Sequence, residues 1–174
     1  KIVQANIDNF QKFIIPAFEG EIQRLAFQIQ HYEERVNKIS KNTKFLYDYL
    51  KEQPFVKEIY SVFHDDSIDN FLKIRKSFNS FPGLLSVVFD KNLEIYYDQL
   101  ELAKGPSLGT EFTLAMPYVY LAHYDCLKSD EGKQKLLNRG IDPNLLRVSV
   151  GIEPIEDLIS AFEKLKSNVF NFQI

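Results

Sequence analysis

The sequence predicts an α+β (mixed α/β) fold, in which a small antiparallel or mixed sheet of about three to five strands carries helices mainly on one face. A long run with helical spacing comes first, and short strands then alternate with helices to the end of the chain. The composition of the 174 residues, 45% hydrophobic and 26% charged, is typical of one globular domain.

The first long element is a helix predicted over Gly20 to Gln53. Its apolar residues recur at alternating intervals of three and four, which places them on one helix face. Pro54 ends this helix, and Pro16 separates it from a shorter helical stretch at Ile7 to Ile15. The apolar positions run through Ile22, Leu25, Ile29, Tyr32, Val36, Ile39, Thr43, Leu46 and Leu50.

Shorter elements follow Pro54, and the closing helix begins at Pro154 with Glu156 and Asp157 in its first turn. The predicted strands are Val56 to Val62, Gly83 to Asp90, Phe112 to Met116 and Leu145 to Val150. The predicted helices between them are Ser67 to Phe78, Leu93 to Ala103, Tyr118 to Leu127 and Gly132 to Arg139.

Charge and cysteine content restrict the classes of function. The 21 Lys and Arg against 24 Asp and Glu give a net charge of −3, so we expect no nucleic-acid partner. The sequence has no apolar run of membrane-spanning length and no signal peptide at its start, and we expect no membrane association. The single cysteine, Cys126, agrees with a cytoplasmic protein. The first residue is Lys1 rather than methionine, so we expect a longer parent protein.

Metal binding and nucleophilic catalysis find little support in the sequence. The chain has three histidines, His31, His64 and His123, and none has the spacing of a zinc site. His64 with Asp65 and Asp66 offers ligand atoms, but these residues fall before a predicted helix, where they more often cap its first turn. Cys126 needs an adjacent base to act as a nucleophile, and a buried, inert thiol is the favoured alternative.

Two segments remain as candidates for binding. Lys104 to Thr110 contains two glycines and is either a binding loop or an ordinary turn; it lacks the Gly-Lys-Ser/Thr ending of a P-loop. In the last strand, alternation places Leu146 and Val148 on one face, and Leu145, Arg147 and Ser149 on the other. A guanidinium held on a strand suits bidentate capture of a carboxylate, and a solvated arginine is the alternative.

Both segments resemble the end of the Cys/Met-metabolism (transsulfuration) family of pyridoxal-phosphate (PLP) enzymes, which contains cystathionine γ-synthase and cystathionine γ-lyase. The similar stretches are GPSLGTEFTL, then His123, then GIDPNLLRVSVGIEPIEDLISAFEKL. The resemblance extends upstream to the long helix, with Arg35 and Asn42, and covers about Gly20 to Lys166.

The resemblance implies the C-terminal domain of a fold-type-I PLP enzyme, with residues 1–19 as an N-terminal linker segment and residues 20–174 as the small domain. In the family, the arginine that matches Arg147 pairs with the α-carboxylate of the amino-acid substrate, and the serine that matches Ser107 lies beside that carboxylate. The implied partners are an N-terminal PLP-binding domain, further copies of the chain, and a homoserine ester with cysteine, or cystathionine.

The departures from the family pattern shape the expected activity. No segment matches the cofactor lysine of the family's large domain, and Lys104 is not that lysine, so we expect this chain alone to bind no PLP and to be inactive. Pro106 and Thr110 replace residues typical of γ-lyases and favour a γ-synthase, with a lyase as the second choice. For His123 we favour a structural hydrogen bond over catalysis. A stand-alone interaction module that pairs through the long helix is the non-enzymatic alternative.

Overall fold

A computed structural model describes residues 18–77 and 80–169. The chain divides between Glu33 and Glu34 into two compact units. In the described part of the first unit, helix α1 (Glu19–Ile29) has acidic residues in its first turn and no buried residue. The helix predicted over residues 7–15 lies outside the described residues, and the domain boundary at residue 20 stays a prediction.

The prediction of one continuous helix from Gly20 to Gln53 is wrong. A turn at Gln30 and His31 separates α1 from α2 (Tyr32–Lys51). Ile29 and Tyr32 flank the turn with the same spacing of three that an unbroken helix would show, so the apolar pattern carries no signal of the break.

After α2, strands and helices alternate, and each predicted strand contains an observed one. The elements are β1 (Val56–Tyr60), α3 (Asp65–Ile74), β2 (Leu84–Phe89), α4 (Leu93–Tyr97), β3 (Ala103–Lys104), β4 (Leu114–Met116), α5 (Tyr118–Ala122), α6 (Tyr124–Leu127), α7 (Asp130–Leu137), β5 (Leu145–Ser149) and α8 (Ile155–Val169).

Two predicted helices differ from the observed elements by more than a shift of their ends. The helix predicted over Leu93 to Ala103 ends at Tyr97, because the chain then turns and Ala103 pairs with β4 as part of an edge strand. The helix predicted over Tyr118 to Leu127 is split at His123, whose φ of −133° is not helical.

The described strands form one mixed sheet in the order β1-β2-β5-β4-β3. Its pairs are antiparallel except for β3 with β4, which is parallel. Strand β5 therefore lies between β2 and β4, and Arg147 on it pairs with Ser86 on one side and Met116 on the other. This confirms the predicted mixed α/β fold with a small sheet.

The hydrophobic core lies between one sheet face and helices α2, α4 and α8. Leu85 and Val87 of β2 alternate into it, as do Leu146 and Val148 of β5, and all are fully buried. Burial of each such leucine stabilises the fold by about 1.5–3 kcal/mol. Arg147 lies on the opposite face of the sheet. Among the described residues, no helix is long and apolar enough to cross a membrane.

Candidate functional site

The candidate site is built on the sheet face that does not contact the main core. Alternation along β5 sends Leu146 and Val148 into the core and leaves Arg147 and Ser149 on the other side. Arg147 is half-buried, and Ser149 is only 4% exposed. The strand therefore holds the backbone of Arg147 in the middle of the sheet, and the side chain projects from there.

Two contacts orient the guanidinium of Arg147. Its Nη2 donates a hydrogen bond of 2.5 Å to the carbonyl oxygen of Pro106. Its Cζ lies 4.9 Å from the ring centroid of Tyr118, which is a cation–π distance. No acidic side chain in the described part of the chain lies within ion-pair distance of Arg147. The guanidinium has five N–H donors, so most of them remain for an anionic ligand.

Ser107 belongs to the connection between β3 and β4, residues 105–113, which we call the 105–113 loop. It is exposed, and its hydroxyl forms no hydrogen bond within the described residues. The carbonyl that accepts from Arg147 belongs to the Pro106–Ser107 peptide bond. The structure thus brings Arg147 to the peptide bond before Ser107, the other residue singled out from the sequence.

The middle of the loop is tied to the same strand. Gly109 has a φ of +69°, a left-handed conformation that favours glycine, and its N–H donates to Ser149 Oγ at 3.3 Å. Arg147 and Ser149 are two residues apart and share a strand face, so β5 contacts the loop at both positions.

The end of the loop is held by the segment that follows β5. The backbone N–H of Ile152 donates to the carbonyl of Glu111 at 2.8 Å, and that of Gly151 donates to Thr113 Oγ1 at 2.9 Å. Thr113 in turn donates from its hydroxyl to Glu153 Oε2 at 2.9 Å, and from its backbone N–H to the same carboxylate. The bond between Gly151 and Thr113 is buried and the two to Glu153 are partly buried, and together these bonds hold the backbone at the end of the loop.

Helix α2 supports this arrangement from the side. Asn42 is 5% exposed, and its Nδ2 donates to the carbonyls of Gly151 at 3.0 Å and Glu153 at 2.9 Å. Arg35 lies 3.6 Å from Glu111 in an ion pair. The pattern of residues alone does not indicate these roles, and only the family resemblance points to Arg35 and Asn42.

Other side chains named from the sequence lie elsewhere. His64 is the N-cap of α3, as the capping interpretation predicted, and its Nδ1 accepts from Asp66 N at 3.4 Å. Cys126 is half-buried. The hydrogen bonds of His123 come from its backbone, and no bond of its ring is found among the described residues, contrary to the structural side-chain bond that we favoured. The described residues contain no cluster of His, Cys, Asp and Glu that could hold a metal ion.

The lysines bear on whether PLP fits the described residues. A lysine attaches to PLP through its neutral amine, a form that burial favours, and none of the lysines among residues 18–77 and 80–166 is buried. Lys104, next to the loop, lies 4.4 Å from the ring centroid of Tyr97, whose pKa is raised by burial and by Asp98. None of these lysines therefore fits the role of the cofactor lysine, and we assign no step of PLP chemistry to the described residues.

Comparison with known proteins places this chain in a family. The model of the Cys/Met metabolism PLP-dependent enzymes matches residues 29–165. The chain is 39% identical over 132 residues to a cystathionine γ-synthase of Neurospora crassa, covering 75% of this chain and 20% of that protein. It is 32% identical over 155 residues to an L-2-amino-4-chloropent-4-enoate dechlorinase/desaturase of Streptantibioticus cattleyicolor, covering 89% and 31%.

A solved structure is similar in fold. The cystathionine γ-lyase of Lactobacillus plantarum, solved in complex with L-serine, superposes with a TM-score of 0.66 at 24% identity, covering 80% of this chain and 36% of that one. The chain spans about a fifth of the length of the Neurospora crassa synthase and about a third of the length of the Streptantibioticus cattleyicolor enzyme. The family model covers most of the chain, and the chain belongs to the Cys/Met-metabolism family of PLP-dependent enzymes.

Proposed function

We propose that this chain is the C-terminal domain that closes over the substrate in a cystathionine γ-synthase-like enzyme. The parent enzyme replaces the γ-substituent of an activated homoserine ester with the sulfur of cysteine. Its cytoplasmic location, a homo-oligomeric state and the boundary at residue 20 belong to the same proposal. The similarity to γ-synthases of two fungi supports the choice of a synthase over a lyase.

The observation that carries the proposal is the state of Arg147. Its guanidinium is held by the Pro106 carbonyl and the Tyr118 ring, yet it has no carboxylate partner among the described residues. A planar guanidinium with free donors binds a carboxylate through two parallel hydrogen bonds. In the proposed complex, Arg147 binds the α-carboxylate of the substrate and the Ser107 hydroxyl donates to one of its oxygens.

The cofactor belongs to the N-terminal domain of the parent enzyme in this proposal. PLP supplies an electron sink for the substrate's α-carbon when it is bound there. The contribution of this chain is to bind the substrate by its carboxylate and to limit its rotation, which positions the reacting carbon against the other domain.

Arg147→Lys in the PLP-loaded parent enzyme tests the carboxylate role. A lysine keeps the charge and loses the two-point geometry, so we expect the KM for the homoserine ester to rise about tenfold, equivalent to about 1.4 kcal/mol, with a smaller change in kcat. Arg139→Lys is the matched control, because Arg139 is an exposed arginine in the turn that follows α7. An unchanged KM in Arg147→Lys would refute the assignment.

A second experiment tests the division of labour between domains. The 174-residue chain is incubated with PLP, dialysed, and examined for the visible absorbance of a lysine-bound cofactor and for cystathionine formation. We expect neither signal. Retained cofactor, or turnover by this chain alone, would show that the cofactor site lies in this chain.

A third experiment compares the two reactions of the parent enzyme. The reaction of a homoserine ester with cysteine should be faster than the cleavage of cystathionine, and the reverse order would make the enzyme a γ-lyase.

A further inference from the structure

Arg147 has one neighbour that neither the sequence nor the comparisons assign to the site. The centroid of the Tyr118 ring lies 4.9 Å from the guanidinium carbon, and Tyr118 is 43% exposed. We infer that Tyr118 is a positioning residue, which holds the guanidinium of Arg147 in the plane that a substrate carboxylate requires. This inference rests on the proposed function.

The backbone on both sides of Tyr118 is held in place. Met116 is the Cα partner of Arg147 across β4 and β5, and the chain leaves β4 directly after it. Pro117 turns the chain, with φ of −76° and ψ of 74°, so that Tyr118 is the first residue of α5. Val119, 2% exposed, anchors the new helix in the interior. Strand register on one side and a buried residue on the other therefore hold the backbone from which the Tyr118 ring projects.

The two contacts of Arg147 complement each other. The Pro106 carbonyl takes one N–H in the plane of the guanidinium, and the Tyr118 ring faces its delocalised charge. An arginine side chain has about 2 kcal/mol of rotamer entropy to lose, and binding loses less of it when the group is already ordered. Because the hydroxyl of Tyr118 has no hydrogen-bond partner among the described residues, the ring face carries the effect.

The chain offers a matched control for this contact. Tyr124 is also exposed, at 57%, and also has a cation over its ring, with Lys128 Nζ at 4.8 Å from the centroid. It lies on α6 rather than beside Arg147. Replacement of Tyr124 by leucine removes a similar aromatic contact at a place where the inference expects no effect on substrate binding.

The test measures KM and kcat of the PLP-loaded parent enzyme for the homoserine ester. For Tyr118→Leu we expect the KM to rise about two- to fivefold, the equivalent of an exposed cation–π contact, with little change in kcat. Tyr118→Phe should restore the normal KM because it retains the ring, and Tyr124→Leu should leave it unchanged. In an Arg147→Lys background, Tyr118→Leu should have a smaller effect, because the planar group on which the ring acts is gone.

The outcomes separate this inference from the proposed function. If Arg147→Lys raises the KM while Tyr118→Leu does not, the positioning role of the ring is wrong and the carboxylate role of Arg147 stands. If Tyr118→Phe raises the KM as much as Tyr118→Leu, the hydroxyl acts instead of the ring, and the inference is overturned. If Arg147→Lys has no effect on the KM, the proposed function itself fails.

Discussion

Replacement of Thr113 by valine tests whether the hydrogen bonds behind the 105–113 loop stabilise the domain. Thr113 is 1% exposed, and its hydroxyl both accepts from Gly151 N–H and donates to Glu153, each at 2.9 Å. Valine has nearly the same volume, so Thr113→Val removes these two bonds without leaving a cavity. The change therefore isolates the polar contribution of the hydroxyl.

The expected loss follows from the groups left without a partner. Gly151 is buried, and its N–H has no other acceptor among the described residues, which costs about 1–3 kcal/mol. The half-buried carboxylate of Glu153 keeps the backbone N–H of Thr113 and loses only the hydroxyl, which water partly replaces. From the unpaired Gly151 N–H and the bond lost at Glu153, we expect Thr113→Val to lower the free energy of unfolding by about 2–4 kcal/mol.

Urea unfolding of the 174-residue chain measures this loss. For a chain of this length an m-value of about 2 kcal/mol/M converts the expected loss into a midpoint lower by about 1–2 M. Thr113→Ser is the control, because it keeps the hydroxyl and loses one methyl group worth about 0.8 kcal/mol. A Thr113→Val midpoint equal to that of the unmodified chain, or a larger loss in Thr113→Ser, would refute the reasoning.

Two further predictions concern packing and titration. In Gly132→Ala the added Cβ would lie 2.1 Å from the carbonyl oxygen of Cys126, so we expect this variant to unfold at a much lower urea concentration. Gly105→Ala is the control, because its Cβ would have only ordinary contacts. Equal urea midpoints for the two variants would contradict the packing of α6 on α7. A hydrogen bond to Glu58, together with burial, raises the pKa of Tyr60 from 10.0 to about 12. The stability that this hydrogen bond contributes is therefore fully present below pH 10.0 and is lost as the pH rises to about 12. Absorbance titration should show the pKa of Tyr60 falling towards 10.0 in Glu58→Gln, and an unchanged pKa would exclude this hydrogen bond as the cause.

The sequence predicted those parts of the site that depend on local periodicity. Alternation along β5 is enough to place Leu146 and Val148 in the core and Arg147 on the opposite face, because each side is set by neighbours in the chain. Alternation was less informative for Ser149, which shares the face of Arg147 and is nevertheless buried. The 105–113 loop lies against Ser149 through Gly109, and the residues around Ser149 in the sequence give no indication of this contact.

The contacts that the sequence did not predict join residues far apart in the chain. Tyr118 meets Arg147 only because β4 pairs with β5 in the register Met116 to Arg147, and a slip of one residue would send the side chains to the other face. Strand β3 was missed for a related reason. Its two residues, Ala103 and Lys104, are too few to show any alternation, and the pairing with β4 defines them.

Helix α2 connects these long-range contacts through one face. Arg35 and Asn42 are seven residues apart, which is two helical turns, so both project from the same side. Arg35 pairs with Glu111 of the 105–113 loop, and Asn42 holds the carbonyls of Gly151 and Glu153. The loop, the segment after β5 and this helix face are therefore joined by hydrogen bonds and one ion pair. Helix α2 therefore holds the end of the same loop whose beginning, at the Pro106 carbonyl, accepts the hydrogen bond from Arg147.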